Sequence, residues 1–144
     1  MSIAINMDVS KFRDQLNATV AELQRATRPA AQAGIQIIYD RARLNAPVSK
    51  KAHIFNIEGR KYGPYAPGNL RDAIYQVFSK DKSFKDVSTY QVSWNKDKAP
   101  YGFAYEFGNS QRGAQSFIAR SIVETRAEVR EAIKQRFIQE VSKT

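Results

Sequence analysis

Two long helical stripes, one near each end of the chain, limit the fold more than any other feature. From about Gln115 onward, Ile118, Ile122, Val129, Ile133, Phe137 and Val141 recur on one helical face. Arg120, Glu124, Arg126, Glu128, Arg130, Glu131 and Lys134 occupy the remaining surface. The pattern predicts a helix of about 25 residues, about 38 Å long. Toward the other end, Asp8 or Ser10 can cap a second helix on which Phe12, Leu16, Val20 and Leu23 form the apolar stripe. Pro29 lacks an N–H and disfavours helix at Arg28, which predicts a kink or a restart. Ala30, Ala33, Ile37, Ile38 and Leu44 carry the period on to about Asn45, and Ala46-Pro47 ends it. The small residues between Ala30 and Gly34 allow another backbone to come close. Helices of this kind draw most of their stability from packing of the apolar face, so each stripe asks for a cover.

Between and before the helices the period shortens. Ser2 to Met7 places Ile3, Ile5 and Met7 on one side, which predicts a short edge strand. Leu70 to Ser79 and Val87 to Trp94 alternate and read as strands, separated by a charged turn at Asp81 to Asp86. Asn95 to Pro100 reads as a turn, and the aromatic stretch Tyr101 to Phe107 as a further strand ended by Gly108-Asn109. The expectation is an α+β fold of one domain over residues 1–144. Its small antiparallel sheet, in meander order, carries the long N-terminal and C-terminal helices on one face. Val48 to Asn69 holds Gly59, Gly63, Pro64, Pro67 and Gly68 and reads as a long loop, with room for a short hairpin around Ile54 to Tyr62. Its length, charge and glycines predict a segment that is mobile in the free subunit and orders on assembly.

The chain has no Cys and one His among its 144 residues, which excludes thiol chemistry, cysteine-ligated metals and any site needing two imidazoles. His53 lies in the basic loop without a sequence partner to complete a nucleophile–base pair. Glu106, between Tyr105 and Phe107, could become an acid if burial raised its pKa. Without a second carboxylate at fixed spacing, a structural role is favoured, pairing with an Arg or capping a backbone. Asp81, Asp86 and Asp97 follow no calcium-loop spacing, and Gly59-Arg60-Lys61-Tyr62-Gly63 lacks the Gly-Lys-Ser/Thr ending of a phosphate loop. No metal and no cofactor is therefore expected.

Lys+Arg exceeds Asp+Glu by 23 to 14, a net +9. An excess of this sign attracts phosphate or an acidic protein. It concentrates mildly in the loop, where Lys50, Lys51, Arg60 and Lys61 stand against Glu58 and interleave with Phe55, Tyr62 and Tyr65. Lys50, Lys51, His53, Arg60, Lys61 and Tyr62 are thus candidates for contact with DNA or with a protein partner. Residues 1–7 have neither the basic start nor the apolar core of a signal peptide, and no stretch approaches the ~20 apolar residues of a membrane span, so cytoplasmic synthesis without a membrane is expected.

Four landmarks occur in a recognisable order: Asn45-Ala46-Pro47-Val48; Pro67-Gly68-Asn69-Leu70-Arg71; Tyr101-Gly102-Phe103-Ala104-Tyr105-Glu106-Phe107-Gly108; and Ser116-Phe117-Ile118 at the head of the last helix. From about Val9 to Val141 the chain resembles the tail-completion, or neck, proteins of long-tailed double-stranded-DNA phages. Two departures stand out. About twenty residues separate the Ala-Pro turn from the Gly-x-Leu motif where the family's simplest members have almost none, and Ser116 replaces the usual Pro before Phe117. The resemblance implies a non-catalytic structural protein of the virion, made in the host cytoplasm. It implies a ring of identical subunits around the DNA channel, with head-completion or connector proteins on one side, tail terminator or tail tube proteins on the other, and packaged DNA passing through. It also implies structural roles for Pro47, Gly68, Leu70, Arg71, Tyr101, Tyr105, Glu106, Phe107, Gly108 and Phe117. A stand-alone nucleic-acid-binding protein is the competing reading, and a small RNA-cleaving toxin acting through His53 or an Arg is a third.

Overall fold

Both helical stripes become helices in the computed structural model, which describes residues 2–110 and 113–143. In chain order the elements are α1 (Ser10–Asn45), β1 (His53–Ile57), β2 (Arg60–Tyr65), α2 (Asn69–Ala73), β3 (Ile74–Phe78), β4 (Tyr90–Trp94), α3 (Gly102–Phe107) and α4 (Ile118–Val141). The fold is α+β, with the two long helices packed on each other beside two small antiparallel sheets.

α1 runs through Pro29 as one element. Its buried residues Ala26, Ala30 and Gly34 recur every fourth position, a stripe of small side chains that lets α4 approach. A Cβ on Gly34 would lie 2.7 Å from Ile133 Cγ1 and 3.2 Å from Val129 Cγ1, so the close approach read from residues 30–34 is realised. The helices are antiparallel. Asn45 Nδ2 donates to Ser121 Oγ at 3.0 Å and Arg41 pairs with Glu124 at 3.5 Å at one end. At the other end Glu22, Arg25 and Ala26 meet Glu140 and Lys143. α4 therefore stops short, and residues 11–21 of α1 are exposed on every face.

The β-structure departs from a single meander. β1 and β2 form one hairpin and β3 and β4 another, with no strand shared between them among the described residues. The first hairpin resolves the expected long loop. Its two-residue turn is Glu58-Gly59, both with positive φ (51° and 77°), the twist that a tight hairpin turn needs. The second pairs Ile74 with Trp94 through to Phe78 with Tyr90 and rests on α1, where Arg28 lies 4.0 Å over the Phe78 ring and Gln76 Nε2 donates to Gln36 Oε1. Leu70 to Ser79 begins as the short helix α2 before extending at Ile74, because Gly68 at φ 84° turns the chain and its carbonyl accepts from Asp72 N at 2.9 Å. Val87 lies outside β4 and bridges Phe84 across the charged turn.

Two expected strands do not form. Residues 2–9 belong to no helix or strand, since alternation yields a strand only where an edge is in reach to pair with. Tyr101 to Phe107 is helical as α3. Aromatics at every second position also satisfy an i, i+4 repeat: Tyr101 and Tyr105 share one face, Phe103 and Phe107 another. The core gathers Ala42, Ala46, Leu70, Ala73, Ile74, Trp94, Ala99, Tyr101 and Phe117 around the C-terminal end of α1. Among the described residues no helix is long and apolar enough to cross a membrane.

Candidate functional site

The motifs that lie apart in sequence meet at this end of the molecule. Ala46 leaves the helix in an extended conformation and its N–H still bonds Ala42 O at 2.9 Å, so Pro47 starts the crossing toward β1. Gly68 opens α2 and sends Leu70 into the core at 1% exposure. A Cβ at Gly68 would meet Arg71 Nη2 at 2.6 Å, and Arg71 Nε donates to Asp72 at 3.1 Å, which holds that carboxyl below its usual value. Asn69 Nδ2 donates to Tyr101 Oη (3.0 Å) and to the Lys98 carbonyl (2.8 Å), tying α2 to the start of α3.

Glu106 is the pivot of the cluster. It is buried, and its Oε2 accepts from the backbone N–H of Phe117 (2.9 Å) and Ile118 (3.0 Å) while Oε1 accepts from Ala119 (3.0 Å). The carboxylate satisfies three of the amides that a helix start leaves without intrahelical partners and lies at the positive end of the helix dipole. Its own carbonyl accepts from Ser116 Oγ at 2.8 Å, and Gln115 N bonds the Tyr105 carbonyl at 2.7 Å. Of the structural roles expected for Glu106, the backbone cap is the one adopted. Gly108, at φ 75°, ends α3 with its N–H on Ala104 O. Phe117 is fully buried, edge-on to Trp94 at 5.4 Å.

The hairpin docks on α3 through aromatic rings. Phe55 stacks on Tyr101 at 4.1 Å and nearly parallel, Tyr65 lies 4.9 Å from Tyr101, and Tyr105 meets Phe55 edge-on. Burial of Tyr101 raises its phenol pKa above 10.0, partly opposed by the Asn69 hydrogen bond. Segment 48–69 therefore holds a hairpin docked on α3 rather than an irregular loop. Its charges stay outside: Lys50, Lys51, His53, Arg60 and Lys61 are exposed, and Tyr62 is half-buried opposite Phe55. Among the described residues none of Lys50, Lys51, Arg60 and Lys61 forms an ion pair. His53 lies 4.7 Å from the Phe55 ring.

Between β1 and α3 runs an open groove of about 830 Å³. Residues 53–58 form one wall in unbroken sequence, and Phe103 and Phe107 rise from the other. Ile54, Phe103 and Phe107 are exposed there, Phe107 at 68%. The arrangement offers exposed apolar side chains beside a strand, with Glu58, Asn56, Asn109 and Ser110 among the polar lining residues. Among the described residues no group of three or more His, Asp or Glu side chains could hold a metal.

The sequence-predicted residues thus divide. Pro47, Gly68, Leu70, Tyr101, Tyr105, Glu106, Gly108 and Phe117 come together as one structural unit, Phe107 faces the groove, Arg71 is half-exposed on α2 against Asp72, and the basic residues lie on the outside of the hairpin segment. Sequence reasoning missed Asn69 and the buried hydroxyls Ser121 and Thr125, which bond the carbonyls of Phe117 and Ser121. Their four-residue spacing from Phe117, on a buried face, was the available signal. Comparison with protein-family models, with curated proteins and with solved structures gives no significant match.

Proposed function

We propose that the chain is a structural virion protein of a long-tailed phage, acting at the head–tail junction as a neck or tail-completion subunit. On this reading it forms or joins a ring around the DNA channel, between head-completion or connector proteins and tail terminator or tail tube proteins. The observation that supports it is the convergence of the four motifs. The Ala-Pro turn, the Gly-x-Leu-Arg helix, the Tyr-to-Gly helix and the Phe-led helix are remote in sequence yet build one core, with Glu106 of the third holding the fourth. The order on which the resemblance rests is accompanied by a shared core, which favours reading the motifs as parts of one architecture. The unpaired cations on the hairpin suit a surface that faces packaged DNA or an acidic partner without a specific grip.

The experiment is negative-stain microscopy of lysates from a phage carrying an early stop codon in this gene. Full heads beside separate, finished tails are the expected result. Intact virions overturn the joining role and leave the nucleic-acid-binding reading, which in turn requires tight, steeply salt-dependent binding of free DNA.

A further inference from the structure

α4 repeats a short pattern as it runs along α1. In Glu124-Thr125-Arg126 and again in Glu128-Val129-Arg130, an acid and a base stand on either side of a residue packed toward α1. Two residues of an α-helix are about 3 Å of rise and about 200° of rotation, so each Arg lies almost straight across α4 from its Glu, at nearly the same height. Glu124 and Glu128 are exposed on one flank, and Arg126 and Arg130, followed by Lys134, are exposed on the other. Glu124 pairs with Arg41 and Arg120, whereas Glu128, Arg126, Arg130 and Lys134 form no ion pair among the described residues. Within each row like charges stand four residues apart, the spacing at which they repel along an isolated helix. Solvation alone is served better by unlike charges at that spacing, as in Arg120 and Glu124. We propose that the cationic flank of α4 in one copy docks on the acidic flank of α4 in the next, the helices parallel and side by side, with Arg126 meeting Glu124 and Arg130 meeting Glu128.

The match of the two rows selects a second copy. A polyanion such as duplex DNA uses the cationic flank alone and leaves the acidic flank without a purpose; a cationic partner does the reverse. A partner that carries both rows, with the same four-residue repeat and at the same height, is α4 itself. Close approach is possible on the cationic flank. Ala119, Val123 and Ala127 stand seven residues, two turns, before Arg126, Arg130 and Lys134; all three are exposed, Val123 at 67%. Their short side chains let a neighbouring helix in and add apolar area to the contact. The contact joins unlike flanks, so each copy can accept one neighbour on either side. Paired residues differ in height by about 3 Å, which an Arg side chain spans, so the operation relating neighbours is close to a pure rotation about an axis parallel to α4. Such a contact closes into a ring instead of climbing into a filament. The proposal deepens the ring reading, rests on it for closure, and supplies the joint between subunits.

Arg130→Glu and Glu128→Arg proteins are prepared separately, and their masses are followed by light scattering alone, mixed in equal parts, and beside wild type in one buffer. Arg130→Glu sets two acidic flanks against each other, and Glu128→Arg two basic ones. In the mixture every joint regains an unlike pair, as it also does in the double variant that carries both changes. The expected result is a multi-subunit mass for wild type, a dissociation midpoint raised at least about tenfold for each single variant, and recovery of the mass in the mixture and the double variant. Both side chains are exposed, so the melting curves of the dilute variants should stay with that of wild type. A monomeric wild type, single variants that keep the wild-type mass, or a mixture and a double variant that stay apart each overturn the proposal. So does an unchanged mass accompanied by weaker duplex-DNA binding in Arg130→Glu and stronger binding in Glu128→Arg, which gives the cationic row to nucleic acid. Failure of this joint leaves the lysate microscopy unaffected, and intact virions in that microscopy remove the neck role without altering the mass of the pure protein.

Discussion

The two halves of α1 carry the same kind of sequence and meet opposite fates. From Ala26 onward, Ala26, Ala30, Gly34 and Ala42 are buried against α4 and the core. In the N-terminal half Phe12, Leu16, Val20 and Leu23 keep the apolar stripe but are 67%, 52%, 40% and 39% exposed. The small residues are covered and the large ones are bare, the reverse of what transfer free energy alone would arrange. Periodicity states which face of a helix is apolar. It does not state whether the covering surface belongs to the same chain.

That contrast can be tested by substitution. Phe117→Ala should lower unfolding free energy by about 3–5 kcal/mol, read from the urea midpoint, because it empties the centre of the packed end. Phe12→Ala, an aromatic of equal size at the bare end, should move the monomer by less than about 0.5 kcal/mol; equal losses would erase the distinction between the ends. Glu106→Gln should cost about 2–3 kcal/mol, since an amide puts a donor against backbone N–H groups that the carboxylate accepts from. Gly34→Ala should cost about 1–2 kcal/mol, because crowding against Ile133 outweighs the gain in helix propensity. Tyr101→Phe should cost about 1 kcal/mol at neutral pH for the lost Asn69 bond.

Tyr101 also gives the packed end a pH signature. Its folded pKa is raised by burial above 10.0. The unfolded chain releases that proton first, so the contribution is complete below pH 10.0 and is lost as pH rises through the folded value. Wild-type protein should therefore lose more stability than Tyr101→Phe between neutral and strongly alkaline solution, measured by thermal melts across that range. Parallel curves would show that the hydroxyl is not desolvated.

Much of the fold was legible because long periods are hard to mimic by chance. Both long helices, the strand ending at Trp94 and the stop at Ala46-Pro47 follow from spacing and backbone restriction. The failures have specific causes. Residues 101–107 carry aromatics at positions that satisfy two periods at once, and Gly102 lets the helix that forms lie directly on Trp94, where a side chain would strike. Ile3 to Met7 has the pattern of a strand but pairs with none among the described residues, and alternation alone does not supply a partner edge. Glu106 was legible as structural but not as the cap of α4, because nothing local marks a carboxylate whose partners lie eleven to thirteen residues on. The basic residues of 48–69 were legible as a surface. The hairpin that organises them was visible only in part, since its docking depends on Tyr101.

α3 also couples two surfaces mechanically. One of its faces presents Phe103 and Phe107 to the groove, and its buried side sends Glu106 to grip the first amides of α4. α4 then runs 24 residues, about 36 Å, back along α1 to the edge of the bare end. One six-residue helix thus serves both the groove and the cap of the longest packing surface in the subunit, so a substitution on either of its faces bears on the other.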